Sequence, residues 1–150
     1  MNVIIRNEEE KDYFEVENVI REAFWNVYRP GCNEHLVTHN LRTNDAFIKE
    51  LDYVIDKAGE IIGNIIYSKV KLISDCGNLN HFICFGPIGI RPDYQGTGLG
   101  QKLIEYSLEE AKKLGYTAVF ITGNHKYYQC FGFESASKYG IYLDENSFFT

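Results

Sequence analysis

Residues 95–100 read Gln-Gly-Thr-Gly-Leu-Gly, with glycine at every second position between the β-branched run "GPIGI" and the helical run "LGQKLIEYSLEEAKKLGY". A helix leaves its first backbone N–H groups without internal partners and carries partial positive charge at that end. Glycine lets the backbone approach a ligand closely and adopt left-handed angles. Together these properties predict an anion site, best suited to phosphate, built from Gln95, Gly96, Thr97, Gly98, Leu99 and Gly100. The loop could also do no more than cap the helix. Two other phosphate loops do not fit. The P-loop closes on Lys followed by Ser or Thr, and the dinucleotide fingerprint wants GxGxxG near the first strand with an acidic residue on the next.

Other reactive side chains carry weaker signals. His35 and His39 in "HLVTH" have metal-ligand spacing, but the Glu of HExxH is absent and no third ligand is evident. They are expected on a solvated or substrate-side helix face, and no metal is expected. Cys130 is expected as a small buried hydrophobe rather than a reactive thiol. Glu8–Glu10 should form the first turn of a helix, where acids suit the dipole. Phe24, Trp25 and Tyr28 are expected in core packing.

The elements that must position these groups follow from hydrophobic periodicity. "NVIIR" is a short strand. "EEEKDYFEVENVIREAFWNVY" carries Tyr13, Val16, Ile20, Ala23 and Val27 at helical spacing, and "RPGCN" ends it. A second helix covers Glu34–Leu41. "LDYVIDK", "EIIGNIIYSKVKLI" and "HFICFGPIGI" form an antiparallel meander, with a bulge or break in pairing at Pro87. Leu99–Leu114 is an amphipathic helix with Leu99, Leu103, Ile104, Leu108 and Ala111 on one stripe, and Gly115 stops it. "YTAVFIT" is a buried strand, parallel to the last meander strand because the crossover is a single helix.

The global numbers narrow the classes. A chain of 150 residues with 45% hydrophobic and 24% charged content reads as one globular domain over 1–150. A formal net charge of -6 argues against nucleic acid as a partner. No run is long enough to span a bilayer, and "MNVIIRNEEEKDY" does not read as a signal peptide. The four cysteines, Cys32, Cys76, Cys84 and Cys130, form no CxxC pair and are expected as reduced cytoplasmic thiols.

"RPDYQGTGLGQKLIEYSLEEAKKLGY" resembles the pyrophosphate-binding motif of the GNAT superfamily, the acyl-CoA-dependent N-acetyltransferases: its Gln/Arg-x-x-Gly-x-Gly/Ala is met by Gln95 to Gly100. The run "NHKYYQCFGFESAS" is similar to that superfamily's second cofactor motif, a Tyr followed by Gly-Phe, in the form found in a small bacterial acetyltransferase group with a YYxxFGF-like run. The element order fits as well, so the resemblance covers nearly the whole chain. It implies an α/β fold (α+β in looser usage) with a mixed, mostly antiparallel central sheet and helices on both faces.

The resemblance also implies roles. Amides from Gln95 to Gly100 hold the pyrophosphate of coenzyme A. The strand end Ile88-Gly89-Ile90 pairs with the pantetheine arm, one N–H polarises the thioester carbonyl, and Gly89 lets the cofactor lie close. Asn124 faces the pantetheine, Phe131 packs against the cofactor, and Tyr128 lies near the thioester sulfur as a proton donor. Tyr127, beside it, is either a cofactor contact or a core aromatic, and for Phe24, Trp25 and Tyr28 the resemblance implies an acceptor pocket as the alternative to core packing. The Glu that such enzymes often carry on the meander strand is missing from "HFICFGPIGI", where His81 and Cys84 are the titratable residues, and no base is assigned. The expected activity is acetyl transfer from acetyl-CoA to a primary amine. A non-catalytic acyl-CoA-binding sensor or regulatory module is the alternative. At the C-terminus "KYGIYL" and "SFFT" are expected as closing strands, the second of them short, which suggests a homodimer over that edge.

Overall fold

The computed structural model describes residues 2–74, 77–122 and 125–141. Asn124, Cys76 and the strands expected beyond residue 141 lie outside them. Five strands form one sheet in the order β1-β2-β3-β4-β5. They are β1 (Ile4–Asn7), β2 (Tyr53–Lys57), β3 (Glu60–Ser74), β4 (Gly77–Ile90) and β5 (Ala118–Phe120). Pairing is antiparallel from β1 to β4 and parallel between β4 and β5. The helices are α1 (Tyr13–Phe24), α2 (Glu34–Leu41), α3 (Leu99–Lys113) and the short α4 (His125–Gln129).

Alternation along the strands gives each face its own core. Val54 and Ile61 meet Val16, Val19 and Ile20 of α1. Ile55, Ile62, Ile65, Tyr67 and Ile83 meet Leu99, Leu103, Ile104 and Ala111 of α3 on the other face. The α3 stripe read from the sequence is thus the buried one. Ser107, fully buried within it, is bonded to the Tyr67 hydroxyl at 2.8 Å. Burying both hydroxyls together spares each an unmade bond.

Three expectations need correction. First, α1 ends at Phe24, not Tyr28. Asn26 takes a left-handed φ of 59°, its N–H donates to Gly31 O at 2.8 Å, and its Oδ1 accepts from Gly31 N–H at 2.6 Å. This small ring closes before Pro30 can act, and asparagine tolerates that backbone because its side chain bonds locally. Second, Trp25, Val27 and Tyr28 are therefore exposed rather than core. Third, Glu8 is not in a first helical turn. It is buried and holds Arg42 of the α2 end through two bonds of 2.9 and 3.0 Å, while Glu10 opens a 3-10 turn ahead of α1.

Candidate active site

The site begins where two strands part. β5 pairs with β4 only through Phe82↔Ala118, Ile83↔Val119 and Cys84↔Phe120. Beyond Cys84, among the described residues, β4 continues to Ile90 against β3 alone. The β3–β4 register slips between Ile65↔Ile88 and Tyr67↔Phe85, so Gly86 and Pro87 together oppose Ile66. This is the expected bulge at Pro87, and Gly86 supplies its φ of +133°.

The register past the bulge decides which backbone groups are available. Arg91 donates to Ile62 O at 2.8 Å. Antiparallel residues alternate between bonding across the pair and facing away. Gly89, two residues earlier and opposite Asn64, therefore spends its N–H and C=O on β3. Ile88 and Ile90 turn theirs to the edge that β5 has left. The Ile90 carbonyl there already accepts from Gln95 Nε2 at 3.0 Å.

Gly89 thus reaches the cleft by its main-chain surface only. A Cβ on it would come within 2.9 Å of Ile20 Cδ1 and 3.2 Å of Ala23 Cβ. Its lack of a side chain serves the close packing of α1 on the sheet.

The glycine loop sits at the end of this edge. Gly96 and Gly98 adopt φ of 76° and 83°, and Gly98 is the N-cap of α3. A 3-10 turn, Pro92–Tyr94, leads into the loop, and Thr97 Oγ1 closes back on Tyr94 O at 2.6 Å. The Tyr94 ring lies beneath Lys57, whose Nζ is 3.0 Å from the phenol oxygen, and beside the Arg91 guanidinium. The first bond into the helix is Lys102 N–H to Gly98 O at 3.1 Å. Among the described residues the amides from Gly96 to Gln101 find no protein acceptor. A row of free N–H groups at the positive end of a 15-residue helix is a fitting cradle for a diphosphate.

Loop and open edge share one cleft of about 340 Å³. It is lined by Ile88, Gly89 and Ile90 of β4, Gln95, Gly100 and Ile104 at the start of α3, Tyr127 of α4, and Ala23, Phe24, Val27 and Tyr28 around the end of α1. The structure thus brings together six of the residues expected to hold the cofactor, while Tyr128 and Phe131 are not in the lining. Thr97 and Leu99 stand in the same loop, though Leu99 is buried against the sheet.

The adjacent tyrosines divide. Tyr127 lines the cleft, with its hydroxyl 3.8 Å from where a Gly100 Cβ would stand. Phe131 packs edge-on to Tyr127 at 5.5 Å. Tyr128 is half-buried against Phe85 and Phe133, with centroids 5.8 and 6.1 Å away. Burial, and then the neighbouring phenols of Tyr127 and Tyr28, raise the Tyr128 pKa above the ordinary phenol value. Tyr128 is therefore protonated at neutral pH, as a proton donor must be.

The α1 wall of Phe24, Val27 and Tyr28 was read from the sequence chiefly as core. Its signal was present: an aromatic cluster just before a Pro-Gly break. Cys130 is exposed rather than buried, because the tight turn after α4 points it outward, with Sγ 2.8 Å from Tyr127 O. His39 pairs with Glu17 at 3.1 Å and His35 contacts Cys32 at 3.6 Å, and no metal-holding cluster occurs among the described residues. Of the two meander-strand candidates, the side chain of His81 lies outside what the structure describes, and Cys84 does not suit the role of base. The Cys84 thiol is pushed up by burial, and it contacts Ser68 Oγ at 3.3 Å.

Comparison with known proteins agrees with this geometry. The profile of the acetyltransferase (GNAT) domain matches residues 49–135. An Escherichia coli (strain K12) protein described as "Uncharacterized N-acetyltransferase YjhQ" is 31% identical over 77 residues, which are 51% of this chain and 41% of that protein. The match therefore spans about two fifths of that relative. A GNAT family acetyltransferase from Brucella melitensis, solved in complex with acetyl-CoA, superposes with a TM-score of 0.80 at 28% identity, covering 89% of this chain and 84% of the other. The GNAT family N-acetyltransferase YhbS of Escherichia coli, solved with CoA, gives 0.79 at 27%, covering 92% and 72%.

Proposed function

The chain belongs to the GNAT acetyltransferase family, and from that premise we propose that it transfers acetyl from acetyl-CoA to a primary amine. One observation carries the reading: the unpartnered amides from Gly96 to Gln101 continue directly into the open backbone edge of Ile88 and Ile90. The amides bind the diphosphate. The edge bonds the pantetheine arm as an added strand does. Because Ile90 adjoins the loop and Ile88 lies deeper, the thioester reaches Ile88, whose N–H donates to the carbonyl oxygen as negative charge develops on it.

The amine nitrogen attacks the carbonyl carbon, a C–N bond forms and the C–S bond breaks. Tyr128 gives its proton to the departing sulfur and regains one from the nitrogen, leaving an amide and a free thiol. A phenol alone is a weaker acid than a thiol, about 10 against about 8.5. The transfer is therefore driven by the acidity of the nitrogen once it has bonded to carbon. Phe131 and Tyr127 flank the arm, and Asn124 is assigned to it on the resemblance.

The three free cysteines among the described residues fit a reducing compartment such as the cytoplasm, and no helix among those residues is long and apolar enough to cross a membrane. Residues 1–150 are read as one domain. We also propose a homodimer that covers the outer edge of β5, which light scattering across a dilution series tests.

The test of function is thermal denaturation with acetyl-CoA, followed by thiol release with a panel of amines. At about 100 times Kd the ligand should add roughly 2.7 kcal/mol of stability. Binding without turnover of any amine would favour the acyl-CoA-binding module. Neither binding nor turnover would refute both.

A further inference from the structure

The cleft changes character at its α1 end. Near α3 it is walled by backbone amides and Gln95, and near α1 by the side chains of Ala23, Phe24, Val27 and Tyr28. The Phe24 and Tyr28 rings stand 6.3 Å apart and inclined by 32°, with Val27 beside them. Phe24 lies over β4, its Cε2 3.6 Å from where a Gly89 Cβ would be. The loop carrying these rings is held by the Asn26–Gly31 bonds and covered by Trp25, whose ring is 3.6 Å from the Cβ position of Gly31.

This wall is fixed, yet Tyr28 is 76% exposed and Val27 56% exposed. Large apolar groups anchored at the mouth of a cleft, and not buried by their own chain, gain when a ligand covers them. We propose that the α1 end is the acceptor subsite and takes a small primary amine carried on a flat aromatic body, of the 2-phenylethylamine type. The proposal rests on the acetyl-transfer reading and goes beyond it in naming the acceptor class.

Two physical arguments select this class. Ring faces at tilted and edge-on angles reward a planar apolar body through burial and ring–ring contact. The described lining is mostly aliphatic and aromatic, with the Gln95 amide and the Tyr28 and Tyr127 phenols as its polar side-chain groups. An acceptor with several ammonium groups would have to desolvate them against carbon. A monoamine brings one charge, and the same surroundings favour its neutral form, which is the form that attacks. This chemistry also accounts for a chain that lacks the meander-strand Glu.

The experiment is a thiol-release assay with acetyl-CoA and three amines, namely 2-phenylethylamine, n-butylamine and spermidine, on the wild type, Tyr28→Ala and Tyr28→Phe. The wild type should favour 2-phenylethylamine over both others by at least about tenfold in kcat/KM, the factor that corresponds to about 1.4 kcal/mol of ring contact and burial. Tyr28→Ala should raise the 2-phenylethylamine KM by about tenfold with the acetyl-CoA KM unchanged, and Tyr28→Phe should restore it. Because Tyr28 is exposed, the variants test the subsite rather than folding. A preference for spermidine, or a KM indifferent to Tyr28→Ala, overturns the proposal while acetyl transfer stands. Failure of acetyl-CoA to raise the melting temperature overturns the proposal together with the reading beneath it.

Discussion

The rings of Tyr127 and Tyr128 meet edge to face with centroids 5.1 Å apart, yet of the two it is Tyr127 that lines the cleft. The Tyr127 hydroxyl overhangs Gly100 at the anion end, and the Tyr128 ring packs on Phe85 and Phe133. Consecutive residues of a helix point about 100° apart, so a Tyr-Tyr pair can address two sites at once.

That division predicts different lesions. Tyr128→Phe should lower kcat by about 10²–10⁴-fold and leave acetyl-CoA binding nearly unchanged, because it removes a proton and little volume. With its pKa raised by burial, and further by Tyr127 and Tyr28, Tyr128 keeps its proton as pH rises. The alkaline limb of the wild-type kcat profile should lie above about pH 10, the ordinary phenol value, and disappear in the variant. Tyr127→Phe should instead raise the acetyl-CoA KM with kcat preserved. Steady-state kinetics across pH separate the two, and the reverse pattern would exchange the roles.

Ile88 and Gly89 make a second contrast. If the Ile88 N–H faces the thioester, Ile88→Pro should cut kcat by about 10²–10³-fold with the fold retained, since no β3 bond is lost and open edges accept proline. Gly89→Ala should act the other way. Its methyl would press on Ile20 and Ala23 at 2.9 and 3.2 Å, costing about 1–3 kcal/mol as α1 is displaced. Chemical denaturation and single-turnover rates on the same samples distinguish a lost donor from a crowded helix.

At Gly98 the strain lies in the backbone alone, for a Cβ there meets nothing within 4 Å. Gly98→Ala should cost about 1–2 kcal/mol through its φ of 83°, a fall of several degrees in Tm at this chain length. Gly98→Glu should in addition abolish the stabilisation by acetyl-CoA, because it sets a carboxylate against the diphosphate. A retained thermal shift in Gly98→Glu would remove the anion from this loop.

These contrasts also mark where the sequence is legible. The glycine loop, α3 and the bulge at Pro87 depend on neighbours within a few residues, so their residue types announce them. The register that turns Ile88 outward and Gly89 toward Asn64 depends on β3, far away in the chain, and local pattern is silent about it. The end of α1 was misread because Pro30 and Gly31 looked like the terminator, whereas an Asn26 side chain bond acts first. With that end misread, the aromatic wall of Phe24 and Tyr28 was assigned to the core. The Glu8–Arg42 pair joins residues 34 apart, and an "EEE" run gives no hint that its first member is buried.

That buried pair leads to the last prediction. Arg42 and Glu8 have side chains 5% and 0% exposed, and Asp52 lies beside them, bonded to Asn64 Nδ2 at 3.0 Å. Burial, and then the Glu8 carboxyl, push the Asp52 pKa well above its ordinary 3.8, against the weaker pull of Asn64 and Arg42. Folded protein therefore holds a proton on Asp52 that unfolded protein releases at about pH 4. The stability this supplies is complete below the unfolded value and is lost as pH rises toward the folded one, at up to about 1.4 kcal/mol per pH unit. The Asp12 carboxyl has the opposite sign: its bonds to Arg6 lower its pKa, so its contribution is lost only as pH falls. Asp52→Asn keeps a donor for Glu8 and an acceptor for Asn64 but cannot ionise. It should flatten the decline of Tm between about pH 5 and pH 9, and a slope equal to wild type would show that Asp52 is ionised in the fold. Arg42→Met should cost about 3–5 kcal/mol, since Glu8 is then left buried without its partner.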